Sequence, residues 1–325
     1  MIERIIQQRL LNLWQNYPVI TVTGPRQSGK TTLCKAVFPD FSYVNLESPD
    51  VRQLAETDAH AFLKAFPPPL IIDEAQRVPH LLSYIQVAVD AHGHNGQYLL
   101  TGSHQPRLRA EVAQSLAGRV GLLRLLPLSL LELSNAGIEM ERDGYLFKGF
   151  MPRGYANDID PSTLYSDYFS TYIERDVRQI INIKNLNAFE TFIKLLAGRT
   201  GQLVNLSSLS SDAGVSTGTV SEWLSVLEAS FIIFRLPCYY ENFGKRLIKS
   251  QKLYFTEVGL VTWLLGIRDA AQVARDPLFG GLFENMVVAE SLKSRFNAGL
   301  ILNFIFFAIR PGLRWTYSSA NLMNI

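Results

Sequence analysis

Short apolar runs alternate with amphipathic segments over the first part of the chain. Five of these runs have the length and composition of strands, and they lie at residues 18–23, 42–46, 69–73, 97–101 and 120–126. The segments between them show the apolar spacing of helices. Regular alternation of strand and helix patterns is typical of a parallel sheet with helices on both faces. We therefore predict an α/β domain over residues 1–135, beginning with an amphipathic helix.

A different pattern follows residue 135. Residues 136–160 are rich in glycine and charge, which predicts a linker. Residues 161–256 are predicted to be mostly helical, with two short helices at 207–212 and 216–228 in helix-turn-helix spacing. A β-hairpin at 239–255 would complete a winged-helix region.

The first apolar run leads into a glycine-rich sequence that is typical of phosphate binding. Its residues are Gly24, Pro25, Arg26, Gln27, Ser28, Gly29, Lys30, Thr31 and Thr32. Two glycines that are separated by four residues and followed by Lys-Thr form a P-loop when they lie between a strand and a helix. The backbone N–H groups then surround phosphate oxygens, Lys30 reaches the β- and γ-phosphates, and Thr31 binds Mg²⁺.

Two acids end the third apolar run. Asp73 and Glu74 follow Leu70-Ile71-Ile72, and the carboxyl ends of parallel strands are where open α/β sheets bind ligands. We expect Asp73 to hold Mg²⁺ and Glu74 to polarise the attacking water. The alternative is a buried strand that ends in a solvated acidic turn.

Two further polar positions are candidates for the same site. Ser103 could sense the γ-phosphate, with Thr101 as the alternative, unless both only cap the following helix. Arg119 could reach the nucleotide of a neighbouring subunit as an arginine finger. The alternative for Arg119 is a surface ion pair.

Composition limits the function classes. The chain has 325 residues, 47% of them hydrophobic and 18% charged, and a net charge of +2. This near-neutral balance argues against a polycation that binds nucleic acid along its whole surface. Its two cysteines, Cys34 and Cys238, are expected to be reduced thiols, and no run is long enough to span a bilayer. We therefore expect a cytoplasmic protein without a membrane partner.

Charge in the predicted winged helix is unevenly distributed. The segment from Gln202 to Phe234 contains no Lys or Arg, so its second helix would gain little from DNA phosphates. The predicted wing is basic and carries Lys245, Arg246, Lys249 and Lys252. If this region contacts DNA, we expect these four side chains to do so; the alternative is a module used for packing or protein contacts. The histidines lack ligand spacing, so we assign no metal beyond nucleotide-bound Mg²⁺.

These motifs together resemble a family of AAA-type ATPases, the archaeal-type ATPases that carry a DUF4143 region. The resemblance rests on G-P-R-Q-S-G-K-T-T-L, L-I-I-D-E-A-Q, L-L-T-G-S, S-L-A-G-R, Y-I-E-R-D-V, K-S-Q-K-L-Y-F-T-E-V-G-L and G-G-L-F-E-N. It implies Walker A and B roles for Lys30, Thr31, Asp73 and Glu74, and a DUF4143-type α+β region starting at 257–299. One departure is Glu257, where the family pattern has Asp.

The last segment, residues 300–325, departs from this resemblance. The family would continue with F-F-R-D-S and E-V-D-L, whereas this chain has an apolar run and no acid. Back-translation shows that a shift of one nucleotide can restore both of those stretches, and that it can also give Leu-Tyr-Phe at residues 303–306. We therefore hypothesise a frameshift near residues 298–301, so that the C-terminal region is truncated; the alternative is a genuine apolar strand.

The function expected from the sequence is an Mg²⁺-dependent ATPase that acts as a molecular switch or motor, with ATP favoured because no guanine-reading motif is present. A homo-oligomer joined through Arg119 is the expected assembly if this residue acts on a neighbour. Two alternatives remain: a nucleotide-gated adaptor that binds DNA or protein with little hydrolysis, and a truncated remnant that only binds ATP.

Overall fold

The computed structural model describes residues 1–103, 115–177, 185–237 and 251–300, together with the backbone of 305–307 and 316–318. The chain divides into two units. The first comprises residues 1–136 and 293–300, and the second comprises residues 137–292 and 301–325.

A five-stranded parallel sheet forms the centre of the first unit. Its strands are β1 (Val19–Gly24), β2 (Ser42–Asn45), β3 (Leu70–Asp73), β4 (Tyr98–Ser103) and β5 (Val120–Arg124). They are ordered β2-β3-β4-β1-β5 and every pairing is parallel. The α/β fold predicted for this part of the chain is confirmed, and each strand lies within two residues of its predicted position.

Helices cover both faces of this sheet. They are α1 (Gln7–Asn16), α2 (Lys30–Val37), α3 (Pro49–Thr57), α4 (Ala59–Ala65), α5 (Leu81–His92) and α6 (Leu130–Asn135). Successive residues of a strand face opposite sides, so Ile71 packs into the cluster that contains α1 and α2 side chains. Its neighbours Leu70 and Ile72 pack into the cluster that contains α4 and α5. Burial on both faces explains why these strands read as continuous apolar runs.

The strand order determines which residues meet at the functional edge. β4 lies between the P-loop strand β1 and the acid-bearing strand β3, whereas β2 is an edge strand. Gly24 is in register with Ser103, and Asn45 is in register with Asp73. The carboxyl ends of β1, β2, β3 and β4 therefore lie at the same end of the sheet.

The predicted linker is helical. Residues 136–160 include α7 (Arg142–Lys148) and α8 (Pro152–Ala156). Leu146, Phe150 and Met151 are almost completely buried. The linker prediction is therefore wrong here, because three buried apolar side chains anchor the segment despite its glycine and charge content.

The rest of the second unit is mostly helical, in agreement with the prediction. Its further helices are α9 (Pro161–Tyr168), which continues as a π-helix (Phe169–Val177), α10 (Leu186–Ala197), α11 (Leu206–Ala213), α12 (Thr217–Ala229), α13 (Val258–Leu264), α14 (Ala270–Val273) and α15 (Phe279–Asn297). Helices α11 and α12 coincide with the two predicted short helices. Trp223 of α12 packs on Phe189 and Phe192 of α10, with ring centroids 5.1 and 5.2 Å away.

Two antiparallel hairpins complete the second unit. The strands β6 (Ile233–Leu236) and β7 (Lys252–Phe255) pair in register, so the first strand begins six residues before the predicted hairpin. Residues 238–250 lie outside the described part of the chain. In the tail, β8 (Ile305–Phe307) pairs with β9 (Thr316–Ser318), and the frameshift hypothesis stays a prediction.

Glu257 has a structural role that explains its place in the K-L-Y-F-T-E-V-G-L stretch. Its carboxylate is buried and accepts hydrogen bonds from the backbone N–H of Phe150 at 2.8 Å and of Gly259 at 3.1 Å. The hydroxyl of Tyr165 also donates to it, at 3.0 Å. Burial beside this carboxylate raises the pKa of Tyr165 well above its usual range. Glu257 thus caps α13 and fixes the segment around Phe150.

The G-G-L-F-E-N stretch is also structural, because it attaches α15 to β7. Asn285 is fully buried, and its side chain binds both the N–H of Phe255 at 2.7 Å and its carbonyl at 3.0 Å. The hydroxyl of Thr200 donates to the same amide oxygen. Glu284 accepts from the Lys252 ammonium at 2.6 Å and from the Tyr254 hydroxyl at 2.7 Å.

Among the described residues, no helix combines the length and apolar character needed to cross a bilayer.

Replacing Asn285 with Ala tests the structural role of this stretch. The change leaves both backbone groups of Phe255 without their side-chain partner inside the protein, and we expect it to lower the free energy of unfolding by about 3 kcal/mol. Urea denaturation followed by circular dichroism measures the effect. Ser294→Ala, at an exposed position of the same helix, should change stability by less than about 0.5 kcal/mol; equal effects would contradict the role assigned to Asn285.

Candidate functional site

The P-loop turns between β1 and α2 at two glycines with positive φ. Gly24 has a φ of 153°, and a side chain there would collide with the carbonyl oxygen of Leu125. Gly29 has a φ of 89° and precedes the first residue of α2. Only glycine adopts both conformations without strain. The backbone therefore makes the tight turn that the sequence predicts, directly at the carboxyl end of β1.

Lys30 is folded back onto this loop. Its side chain is only 7% exposed, and its ammonium donates to the carbonyls of Gly24 at 3.1 Å and Pro25 at 2.8 Å. Burial lowers the pKa of Lys30 to about 8, although the nearby carboxylates of Glu74 and Asp73 oppose the shift. The site thus contains an ammonium group that is mostly charged at neutral pH and loses its proton above about pH 8.

Two side chains of the loop leave polar atoms unsatisfied. Ser28 is fully buried, and its hydroxyl has no hydrogen-bond partner among the described residues. The amide oxygen of Gln27 also lacks one there, and this residue has a positive φ of 61°. Buried polar atoms are normally satisfied. A buried hydroxyl without a partner, on the same loop as the Lys30 ammonium, is suited to donate a hydrogen bond to a phosphate oxygen.

Asp73 is the point at which the strand ends meet. Its carboxylate is 6% exposed and accepts hydrogen bonds from three hydroxyls on three different elements. Thr31 of α2 donates at 2.9 Å, Tyr43 of β2 donates at 2.9 Å, and Thr101 of β4 also donates. The Thr31 hydroxyl and the Asp73 carboxylate are hard oxygen ligands of the kind that Mg²⁺ prefers.

The sequence did not point to Tyr43, and it left Thr101 as an alternative. Tyr43 lies on the strand next to β3, and the register that pairs Asn45 with Asp73 brings its hydroxyl within reach. Burial and the neighbouring carboxylate raise the pKa of Tyr43, so this hydroxyl stays protonated as a donor. Thr101 reaches Asp73, whereas the side chain of Ser103 lies outside the described part of the chain.

Glu74 follows β3 in a left-handed backbone conformation, with a φ of 57°. A non-glycine residue there costs about 1 kcal/mol or more, and such strain is often found at functional sites. The side-chain amide of Gln76 donates to the Glu74 carboxylate. Burial raises the pKa of Glu74, while Lys30 and Arg26 oppose the shift. The arrangement places a carboxylate of increased basicity beside the P-loop lysine.

Arg26 and Cys34 border the site. The Arg26 guanidinium lies 3.8 Å from the carboxylate of Glu47, at the end of β2. Cys34 is one turn after Lys30 on α2, where it is free and fully buried. Burial raises the pKa of its thiol above the usual range, an effect that the Asp73 carboxylate increases.

Arg119 is not beside the P-loop of its own chain. It precedes β5, where its carbonyl accepts from the N–H of Val19 at the start of β1. Gly24 lies at the other end of that strand, about 17 Å away at 3.3 Å per residue. The guanidinium forms a double hydrogen bond with Asp90, at 2.5 and 2.9 Å. This ion pair holds the pKa of Arg119 above its usual value and that of Asp90 below it.

The structure corrects one of the four predicted nucleic-acid contacts. Lys252 is 2% exposed and its ammonium is bound to Glu284 at 2.6 Å, so a contact between Lys252 and DNA is ruled out in this structure. Lys245, Arg246 and Lys249 lie outside the described residues. No group of three or more potential metal-binding side chains is found within the described part of the chain.

Two family models match this chain. Residues 16–134 match a family described as an AAA domain, and residues 141–271 match a domain of unknown function, DUF8612. The first match contains every strand of the parallel sheet. The expected DUF4143 region stays a prediction, because the match in the second unit is to DUF8612.

Relatives and one solved structure are also similar. An uncharacterized protein of Mycobacterium tuberculosis is 32% identical over 288 residues, which cover 87% of this chain and 64% of the relative. An uncharacterized protein of Haemophilus influenzae is 24% identical over 325 residues, covering 88% and 77%. A Walker-type ATPase of Pyrococcus abyssi shares the fold, with a TM-score of 0.54 and 13% identity over 81% of this chain and 96% of that one. The chain spans less than two thirds of the length of the mycobacterial relative.

Residues 16–134 thus match the AAA domain family, and the chain shares its fold with a Walker-type ATPase.

Replacing Tyr43 with Phe tests whether its hydroxyl orients Asp73. Removing an outer hydrogen bond to a metal ligand typically weakens metal affinity about tenfold. If Asp73 holds Mg²⁺ as the sequence predicts, nucleotide binding in this variant should need about ten times more Mg²⁺. A Mg²⁺ titration with a fluorescent ATP analogue measures this. Tyr84→Phe, at an exposed position of α5, is the matched control, and an unchanged midpoint in Tyr43→Phe would rule out the orienting role.

Proposed function

We propose that this protein is an Mg²⁺-dependent ATPase that acts as a molecular switch or motor. The observation that carries the proposal is the hydrogen bond between Thr31 and Asp73. It joins the end of the P-loop to the end of β3, so that two oxygen ligands suited to Mg²⁺ come from two separate motifs. The meeting of Lys30 and Glu74 at the same edge of the sheet supports it further.

Each side chain has a distinct role in this proposal. Thr31 and Asp73 would hold Mg²⁺, which when bound neutralises charge on the β- and γ-phosphates. Lys30 would exchange its loop carbonyls for phosphate oxygens and stabilise the charge that develops on them. Glu74 would accept a hydrogen bond from the attacking water and orient it in line with the γ-phosphate. Thr101, and Ser103 as predicted from the sequence, are candidates for sensing that phosphate.

Arg119 fits a role in a neighbouring subunit better than a role in its own. It lies at the amino end of the sheet, about one strand length from its own P-loop. Its half-exposed guanidinium is held by Asp90, an exposed partner. Exchange of this partner for a phosphate of another subunit would supply the arginine finger in trans.

ATP turnover tests the proposal directly. We expect Mg²⁺-dependent release of phosphate by the wild-type protein and a loss of about 100-fold or more in Glu74→Gln, with ATP binding retained. Glu56→Gln, at an exposed position of α3, makes the same chemical change without touching the proposed water site. The absence of turnover in folded protein that binds ATP would favour the nucleotide-gated adaptor or the ATP-binding remnant.

A trans finger predicts that turnover per protomer rises with protein concentration. Arg119→Ala should lower the turnover at high concentration by about 1000-fold. Asp90→Ala breaks the same ion pair but keeps the guanidinium, so it should leave turnover near the wild-type value. Equal losses in the two variants would assign the effect to the ion pair.

The pKa of Lys30 predicts that nucleotide binding is linked to protons. Above about pH 8 the free protein has mostly neutral Lys30, whereas bound phosphate favours the charged ammonium. ATP affinity should therefore fall as pH rises from 7.5 to 9.5, and binding at pH 9.5 should take up close to one proton. Calorimetry in buffers of different ionisation enthalpy measures this uptake. Lys30→Met should show weak binding without it, and proton uptake that persists in this variant would exclude Lys30 as the group.

We also propose that α10, α11, α12, β6 and β7 form a winged-helix module that contacts protein. The order of α10, α11, α12 and the β6–β7 hairpin supports this assignment. Strand β6 carries Arg235, whose guanidinium is paired with Glu228 at 2.5 Å. The helices between Gln202 and Phe234 carry no Lys or Arg. Duplex DNA binding that weakens steeply with salt would contradict the protein-contact proposal.

A further inference from the structure

A buried arginine near the start of the chain reaches the P-loop. Arg4 lies just before α1, and its side chain is 7% exposed. Its guanidinium donates to the carbonyl of Ser28 at 2.8 Å and to the carbonyl of Leu126 at 2.7 Å. It also donates through Nε to Glu132 at 3.1 Å. No local sequence pattern pointed to a role for this residue.

Glu132 holds this guanidinium in place. It is 1% exposed and belongs to a capping box at the start of α6, with its carboxylate accepting from the N–H of Ser129 at 2.9 Å. It also accepts from the N–H of Ile5 at 2.9 Å. Burial lowers the pKa of Arg4, and the Glu132 carboxylate opposes that shift. The pair is thus fixed by backbone groups on both sides and cannot rotate freely.

The contact with Ser28 has a direct consequence for the loop. A trans peptide is planar, so the carbonyl of one residue and the N–H of the next point in opposite directions. Binding of the Ser28 carbonyl by Arg4 therefore directs the N–H of Gly29 away from Arg4. Gly29 and Lys30 are the residues whose N–H groups open α2, which is the part of a P-loop that receives phosphate.

We propose that Arg4 is a positioning residue of the nucleotide site. Through the Ser28 carbonyl it fixes the P-loop in the conformation that binds phosphate, with Glu132 as its anchor. This inference rests on the nucleotide-binding function proposed above.

Lys293 supplies a matched control from the same neighbourhood. It is 2% exposed, and its ammonium donates to the carbonyl of Leu128 at 2.7 Å. Arg4 and Lys293 are thus both buried cations that bind carbonyls of the segment after β5. Arg4 also donates a hydrogen bond to the P-loop at Ser28. Comparing variants of the two residues therefore separates a loss of stability in the segment after β5 from a loss of P-loop positioning.

The experiment compares Arg4→Met, Arg4→Lys and Lys293→Met with the wild type. A fluorescent ATP analogue measures affinity and dissociation rate, turnover is resolved into kcat and KM, and thermal unfolding monitors stability. Loss of a charge-assisted hydrogen bond predicts about 10- to 100-fold weaker binding in Arg4→Met, through faster dissociation. Arg4→Lys keeps the charge but not the planar fork, so it should give an intermediate value. Lys293→Met should lose stability but keep its affinity.

Amide hydrogen exchange of residues 24–30 without nucleotide provides a readout that does not depend on ATP. Arg4→Lys should speed exchange in this loop at least about tenfold more than Lys293→Met does. The inference would be overturned if the Arg4 variants had the same nucleotide affinity and the same loop exchange rate as the wild type. It would also be overturned if Lys293→Met changed both quantities as much as the Arg4 variants do. A wild-type protein that binds no ATP would overturn the proposed function, whereas the exchange comparison would still decide the role of Arg4. If Arg4→Met fails to fold, Arg4→Lys carries the same test.

Discussion

The buried carboxylate of Asp73 is the constraint on which the site depends. Removing a carboxylate from water is costly unless several donors surround it, and here the donors come from α2, β2 and β4. Those elements meet at Asp73 only if β3 lies between β2 and β4 and if α2 begins at the carboxyl edge of the sheet. The strand order and the placement of the P-loop helix are therefore tied to one buried side chain.

A second electrostatic relation joins Lys30 and Glu74. Burial disfavours charge on both groups, because it lowers the pKa of the ammonium and raises the pKa of the carboxylate. Each group partly restores the charge of the other. An anion or a cation that binds at this site shifts the pKa values of both groups, because it changes the electrostatic interactions that keep them charged.

The sequence was sufficient to predict the sheet and to nominate the candidate site residues, because both leave local patterns. A strand buried on both faces is a continuous apolar run, and the glycine spacing before Lys30 reflects the backbone conformation that the loop requires. Asp73 was found because it directly follows such a run. In these cases the type of a residue and its position relative to a strand were enough to predict a candidate role for it.

Contacts between distant segments left no such pattern. Arg4 and Glu132 are 128 positions apart, and Tyr43 differs from other half-buried tyrosines only through the strand register. Lys252 looked like part of a basic cluster, since its acidic partner lies on a distant helix. The linker prediction was wrong for another reason, because an average over composition hides a few apolar side chains that anchor a segment.

Cys34 gives the P-loop helix a chemical reporter of its own opening. The thiol is fully buried one turn after Lys30, and its raised pKa keeps the reactive thiolate scarce. Alkylating or oxidising reagents need both access and thiolate, so they reach Cys34 only in molecules whose α2 has separated from the sheet. The labelling rate therefore measures how often this helix opens, and oxidative damage at this position would select open molecules and spare closed ones.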